Sequence, residues 1–553
     1  MSKKIFGVLI TRNFVFTSIL LAIVVFIVYG RLTQTFYQQD EWQGYGLYLA
    51  DDIKSVFQNI GSGAGLVFGQ GRALSNFIYY LFFKFFPLNA MPFAIFSLIF
   101  HLLNSILLFL LIRKVFKKTL PAFFGTLFFV LNSVSQNAIT WAAAAPGTLP
   151  ATTLIILSVF TFFEFIEKRD KKWLVLMFIF LYISLFFKEM SIYLFLYLPL
   201  AFLFFEKPNP KIFLISFWPF LLFFLASSLF RVLEFRAIPT QEALFLTGST
   251  SNYWQTLLTR AILYPLTSFS LTFVPPEPFL WFARSLTKIY YPFIMPQQFI
   301  LFAQTAVLDL LSLCLTFLIL TFTSIFLKSS NRQEKNYVIF FIGFLFFSFM
   351  PYILISKNYA YLESRYYYLP SLAGGVILAW LFIKITEIID KTKIYLLKPL
   401  IFAVFVSFLF FHLKYLEKSI SNDVAIAKER TLFLVQLNQF LPRLEGNRNV
   451  FYIDSDAEYY VSGNKVPFQQ GMGYTLMTIY YKDGKIPKSF LRESFLFEIG
   501  INGYVEKSGL GFGYFSDSAK LEEAIAKHKI EKKFVHAFYY DSNKKLLSRS
   551  LTP

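Results

Sequence analysis

Pro92 to Ile112 reads PFAIFSLIFHLLNSILLFLLI, Arg113 to Lys118 reads RKVFKK, and Leu120 to Ile139 reads LPAFFGTLFFVLNSVSQNAI. Each apolar run holds roughly the 20 residues that a helix needs to cross the hydrocarbon of a bilayer, and the cations between them are costly to bury there. The passage predicts two antiparallel membrane helices joined by a short basic loop.

The same alternation runs outward in both directions. Toward the N-terminus, Phe14 to Tyr29 is apolar, follows Lys3, Lys4 and Arg12, and lacks a small-residue cleavage site, so it reads as a retained first helix. Toward the C-terminus, spans read at Leu149 to Ile166, Trp173 to Phe187, Ile192 to Phe205, Ile212 to Phe230, Phe299 to Leu327, Tyr337 to Ile355, Tyr367 to Ile383 and Tyr395 to Leu413. The expectation is a polytopic α-helical membrane protein with about eleven transmembrane helices. Between them, Arg231 to Gln298 carries an apolar stretch, Ala261 to Val274, with Pro265, Pro275, Pro276, Pro278, Pro292 and Pro296 in and after it, and reads as interfacial or re-entrant helices.

Composition agrees. Of 553 residues, 56% are hydrophobic and 20% aromatic, with 74 Phe and 32 Tyr, while 15% are charged; soluble domains carry about 25% charged residues. The net charge of +19 is scattered between apolar runs instead of forming one stripe, which points to anionic lipid and argues against nucleic acid as a partner. Cys314 is the lone cysteine, so no intrachain disulfide exists. His101, His412, His528 and His536 form no ligand-spaced cluster.

Basic residues mark cytoplasmic loops. Arg113 to Lys118, Lys168 to Lys172, Lys207 with Lys211, Lys328 to Lys335, and Lys391 with Lys393 fill alternate loops, whereas Thr140 to Thr148 holds no cation and Lys188 is alone in its turn. Parity places the protein in the cell membrane with the N-terminus cytoplasmic, and the loop from Arg31 to Met91 and the C-terminus extracytoplasmic. From Glu417 to Pro553 there are 19 basic and 16 acidic residues, a far higher charge density. This divides the chain into a transmembrane domain, 1–416, and an extracytoplasmic soluble α/β domain, 417–553. In the latter, Asn449 to Ile453 and Lys533 to Tyr540 read as strands and Ser518 to His528 as a helix.

Candidate chemistry lies on the outer face. Asp40 and Glu41 follow the first span by about ten residues; a carboxylate at the water–lipid boundary can deprotonate a hydroxyl or hold a divalent ion. Alone, such a pair also suits a solvated loop or a helix cap, the reading that fits the second pair, Asp51 and Asp52. Lys188-Glu189 interrupts two apolar runs, Arg72 follows Gly69-Gln70-Gly71, and Glu363-Ser364-Arg365 precedes Tyr366-Tyr367-Tyr368-Leu369-Pro370. The cations could hold a lipid phosphate, Arg by a fork and Lys as a point charge. Equally, Lys188 could pair with Glu189 and Arg365 with Glu363, with the tyrosines forming an interfacial belt.

Taken together, the acidic pair, Gly71-Arg72-Ala73-Leu74, His101-Leu102-Leu103-Asn104, Trp141 ending the third span, Phe187-Lys188-Glu189, and Glu363 to Ser371 follow one another in an order that resembles GT-C type membrane glycosyltransferases. The likeness covers roughly residues 1–390 and is closest to the branch of protein O-mannosyltransferases and their tetratricopeptide-bearing relatives. The resemblance implies a GT-C-like fold and inverting transfer of a sugar, as in a mannosyltransferase, from a polyprenyl-phosphate donor to a protein or glycan hydroxyl on the outer face. It implies Asp40 as general base with Glu41 beside it, Arg72, Lys188 and Arg365 as donor-phosphate ligands, and Glu189, Glu363 and Tyr366 in support. No cofactor is required by the pattern, and a divalent metal is compatible with it. Where relatives carry His-Pro and Glu before the tryptophan, this chain has Asn132-Ser133 and Asn137, which leaves a second acidic or metal-binding group unsupported, and the C-terminal domain has no tetratricopeptide repeat.

Rival readings are a lipid-linked glycan ligase or polymerase using a pyrophosphate donor, a transporter or flippase of lipid-linked sugar, and a scaffold. A transporter is expected to carry internal repeats with midplane charges; here the charges lie at one face. The glycosyltransferase reading predicts that Asp40, Glu41, Arg72, Lys188 and Arg365 converge on one cavity.

Overall fold

The computed structural model describes residues 12–38, 40–42, 72–205, 210–237, 253–290, 297–353, 355, 361–393, 396–446, 448–459, 465–468, 472–480, 503–507 and 510–550. Asp51, Asp52 and Gly69-Gln70-Gly71 lie outside them. Up to Phe440 the described chain is helical: α1 (Arg12–Tyr29), α2 (Ala73–Phe85), α3 (Met91–Phe116), α4 (Thr119–Leu131), α5 (Ala145–Lys168), α6 (Lys171–Leu185), α7 (Leu194–Phe205), α8 (Pro210–Ala237), α9 (Tyr253–Leu271), α10 (Pro276–Tyr290), α11 (Gln297–Lys328), α12 (Arg332–Phe347), α13 (Tyr368–Thr392) and α14 (Leu397–Phe440).

Among the described residues, eight helices are long and apolar enough to cross a membrane, α1, α3, α5, α8 and α11 to α14. The protein is a multi-pass helical membrane protein. The difference from eleven lies in α4, α6 and α7, which have 13, 15 and 12 residues and reach only about 18–23 Å at 1.5 Å per residue. Their apolar runs leave helical geometry early, in the turns Ser133–Ser135 and Glu189–Ser191. Both turns face the candidate site. The proline-rich region forms a pair, Gln255–Leu271 and Pro276–Leu286, bent by 109° where Pro275 and Pro276 cannot continue the helical ladder.

Burial separates centre from rim. The apolar windows of α5 and α13 are 72% and 67% buried, those of α8 and α11 17%. At the centre α4 meets α13 backbone to backbone, because a Cβ on Gly125 would lie 2.2 Å from the Gly375 carbonyl oxygen and one on Gly375 2.5 Å from that of Gly125. Small residues permit this approach where lipid supplies no hydrophobic drive between helices. At one end of the bundle the basic loops are tied by ion pairs, Lys114 with Glu164 and Glu167, Lys118 with Glu387, and Lys384 with Glu334 and Glu387.

The 44-residue α14 is about 66 Å long, roughly twice the hydrocarbon thickness, and runs unbroken through positions 416 and 417. Beyond it come β1 (Arg448–Ser455), α15 (Gly473–Tyr480), β2 (Gly503–Lys507), β3 (Leu510–Phe515), α16 (Ser518–His528), β4 (Val535–Asp541) and β5 (Leu546–Arg549). They form a five-stranded sheet in the order β2-β3-β1-β4-β5, with β1 parallel to β3 and β4 and an antiparallel strand at each edge. One face packs on α16 through Val450, Phe515, Leu521 and Ala524. The other, through Phe451, Ile453, Phe512, Phe538 and Tyr540, packs on Phe433 and Leu437 of α14, and this core continues into Tyr37, Trp42, Phe83 and Phe93 of the membrane domain.

Candidate active site

The turns left by the short helices carry the candidate residues. α2 begins against the turn after α6, where the Leu74 amide donates to the Phe186 carbonyl at 3.0 Å. Arg72, which caps α2 with a left-handed backbone (φ 50°), is thereby brought to Glu189, whose carboxylate receives its Nε–H at 2.9 and 3.0 Å. A non-glycine residue in that region costs about 1–3 kcal/mol, a strain that collects at functional sites. Gly147, in the first turn of α5, lets the chain pass the Phe187 carbonyl; a Cβ there would sit 3.1 Å from it. Lys188 is buried against this turn and donates to Thr148 Oγ1 at 2.7 Å.

Arg365 arrives from the turn Ser364–Tyr367 before α13. Ser364 Oγ donates to the Val134 carbonyl at 2.5 Å and accepts from the Asn137 amide at 3.2 Å, so this turn is stitched to the end of α4. Asn132 builds that end. Its Oδ1 accepts from the Val134 and Ser135 amides, and its Nδ2 donates to the Thr272 carbonyl at 2.9 Å. His412 of α14 closes the same joint, contacting Ser133 Oγ at 3.2 Å and the Phe273 carbonyl at 2.9 Å. In this chain the asparagine and serine have a structural task.

The Arg365 guanidinium pairs with Glu363 at 2.7 Å, lies 4.4 Å from the centre of the Trp141 ring and 5.1 Å from that of Tyr366, and keeps its buried Nε without a hydrogen-bond partner among the described residues. Tyr352 stacks on Tyr366 at 4.2 Å, and the Lys188 ammonium lies 5.7 Å from the same ring. Such cation–ring contacts gain strength when desolvated.

Lys188, Arg72 and Arg365 therefore sit in one electrostatic neighbourhood with Glu189 and Glu363, and Asp40 lies within electrostatic reach of Arg365. Arg72 and Arg365 have carboxylate partners, whereas Lys188 forms no ion pair among the described residues. Burial, and then the charges of Arg365 and Arg72, hold its ammonium well below the usual lysine range. The local pairing weighed for Lys188 with Glu189 is thus not the one that forms; Glu189 takes Arg72 instead.

Glu41 is 1% exposed, and its carboxylate accepts from the Ala143 amide at 3.1 Å and the Gln38 amide at 3.2 Å. Thr148, Tyr352 and the ring face of Trp141 were not legible as partners in the sequence. Nor was Trp42, although a tryptophan directly after an acidic pair was a visible signal. No three His, Cys, Asp or Glu side chains gather as metal ligands among the described residues.

No family model and no curated protein matches the sequence. Among solved structures, the chain is similar to the crystal structure of ArnT from Cupriavidus metallidurans bound to undecaprenyl phosphate, with 11% identity over 94% of this chain and 92% of that one and a TM-score of 0.40. At that distance the site is read from its own residues.

Proposed function

We propose that this protein is a membrane glycosyltransferase of GT-C type that moves a sugar from a polyprenyl-phosphate donor to a hydroxyl of a protein or glycan acceptor at the extracytoplasmic face. The observation that carries the reading is the buried Lys188, with no ion pair among the described residues, beside Arg365 and Arg72, with Asp40 within electrostatic reach of Arg365. A buried cation without a counter-ion is costly, and a phosphate group would relieve the cost.

In the proposed reaction Asp40 accepts the hydroxyl proton as that oxygen bonds to the anomeric carbon from the side opposite the phosphate. The bond from anomeric carbon to phosphate oxygen breaks with inversion, and polyprenyl phosphate leaves with one more negative charge than it had in the donor. Lys188 and Arg365 stabilise that developing charge, with Arg72 at the rim. Glu363, Glu189 and Tyr366 orient the cations, and mannose is the sugar that the resemblance favours.

The test is transfer of labelled sugar from polyprenyl monophosphate donors by purified wild type and Asp40→Asn, with membrane extract as the acceptor source. Transfer by wild type and its loss in a folded Asp40→Asn protein are expected. Transfer that survives the substitution removes Asp40 as base. Transfer from pyrophosphate donors alone would make the protein a ligase or polymerase, and flux of lipid-linked sugar across vesicles without transfer would make it a transporter.

A further inference from the structure

Asp40 to Trp42 are helical, and the two residues after Asp40 take different partners. Glu41 turns to the backbone amides of Gln38 and Ala143. Trp42, 2% exposed, enters an aromatic cluster with ring centres 5.8 Å from Phe36, 5.5 Å from Tyr37 and 6.1 Å from Phe468. Phe468 belongs to the C-terminal domain and continues the cluster to Phe433 of α14 at 5.8 Å, and Phe433 in turn meets Tyr540 of the central sheet at 5.0 Å. Around this path, Arg430 of α14 donates to the Pro467 carbonyl at 2.6 Å and the fully buried Tyr37 donates to the Asn89 carbonyl at 2.7 Å.

We infer that the C-terminal domain is the mount of the acidic loop, with Trp42 and Phe468 as positioning residues that hold Asp40 within reach of Arg365. This rests on the proposed role of Asp40 as base. The sheet then forms part of the active centre without supplying a reacting group. Its core and the core under the acidic loop are one, so disturbing either side moves the carboxylate. Buried aromatic pairs of this kind are directional and worth more than their area alone. A displacement of about 1 Å at a reacting group can cost about 100-fold in rate.

Two readouts separate this inference from the assignment of the activity. In the transfer assay, Trp42→Ala and Phe468→Ala each lower kcat by about 100-fold while the donor KM stays within about twofold, and Trp42→Phe restores most of the rate. Phe468→Leu serves as the milder variant if Phe468→Ala fails to fold. Wild-type kcat in folded Trp42→Ala and Phe468→Leu, or a raised KM at constant kcat, overturns the inference.

The second readout needs no transfer. In a Cys314→Ser background in detergent, Asp40→Cys is labelled by a soluble maleimide, with Thr33→Cys as the control site. Adding Trp42→Phe, Trp42→Ala or Phe468→Leu accelerates labelling at position 40, by about tenfold for Trp42→Ala, and leaves position 33 unchanged. Unchanged labelling at position 40 overturns the inference whatever the transfer assay gives. Absence of transfer by wild type sinks the proposed activity and leaves the labelling result to decide the mount.

Discussion

Lys188 shows how a single side chain can report its ligand through pH. Burial and two neighbouring guanidinium groups depress its pKa, so an arriving phosphate, which favours the ammonium form, draws a proton onto it. Donor binding therefore weakens as pH rises, in the window above the lowered pKa of the empty site and below the value restored by the bound anion. Titration of polyprenyl phosphate at several pH values is expected to show that slope, and Lys188→Gln to remove it while weakening binding by about tenfold. A slope that persists in Lys188→Gln would assign it to another group. Arg365→Lys keeps the charge but loses the guanidinium's contact with the Trp141 ring and its shared contacts with Glu363 and Tyr366. Its transfer rate is expected to fall by about tenfold or more, a loss of at least ~1.4 kcal/mol of transition-state stabilisation, measured at saturating donor.

The elements place these residues by ending where they do. α4 and α6 stop short of full membrane length, and the turns that follow them hold Ser364, Lys188 and Glu189. α13 can deliver Arg365 to the same level only because Gly125 and Gly375 let it lie directly on α4. Gly375→Val or Gly125→Val puts a side chain into backbone atoms, which cannot yield as a side chain does, so a cost at or above about 3 kcal/mol is expected. Thermal unfolding in detergent would show it, with donor binding lost together with stability. Unchanged unfolding in both variants would mean that the helices are not in backbone contact. Much of this level was legible: the apolar runs named the helices, although three of the eleven expected spans are too short to cross. The early helix ends were not, because Asn132-Ser133 and Met190-Ser191 are as compatible with a continuing helix as with a cap until a partner binds their polar atoms.

For the whole molecule, the long helix α14 joins the apolar bundle to the C-terminal sheet in one element. Its buried stripe passes through Leu409, His412, Leu416, Ile420, Val424, Ala427, Phe433 and Leu437, so membrane bundle and sheet share one spine. The sheet contains a pH-sensitive joint. His536, on β4, contacts Asn449 Oδ1 at 2.9 Å, and burial, with the nearby Arg549, lowers its pKa from 6.5 to about 4. A histidine depressed in the folded state takes up its proton on unfolding, so its contribution is intact above pH 6.5 and is lost as the pH falls toward about 4. Near-ultraviolet melting of the full chain between those limits is expected to show the loss, and His536→Gln to flatten it. The lowered carboxylates of Asp454, Asp456 and Asp541 act at still lower pH.

What the amino-acid sequence determined alone was the apolar or polar character of each segment. Hydrocarbon admits runs such as Pro92 to Ile112 and refuses Arg113 to Lys118, and the charge density rises after Glu417, so the class, the helical bundle and a C-terminal sheet region follow from local composition. Tertiary structure decided which polar groups meet. Glu189 pairs with Arg72, 117 positions away, and not with its neighbour Lys188; Glu41 and Trp42 fasten the acidic loop; and one core spans the boundary between the two compositions. Pairing across the chain depends on distances that only the packed backbones set, and no property of a residue or its neighbours in sequence encodes them.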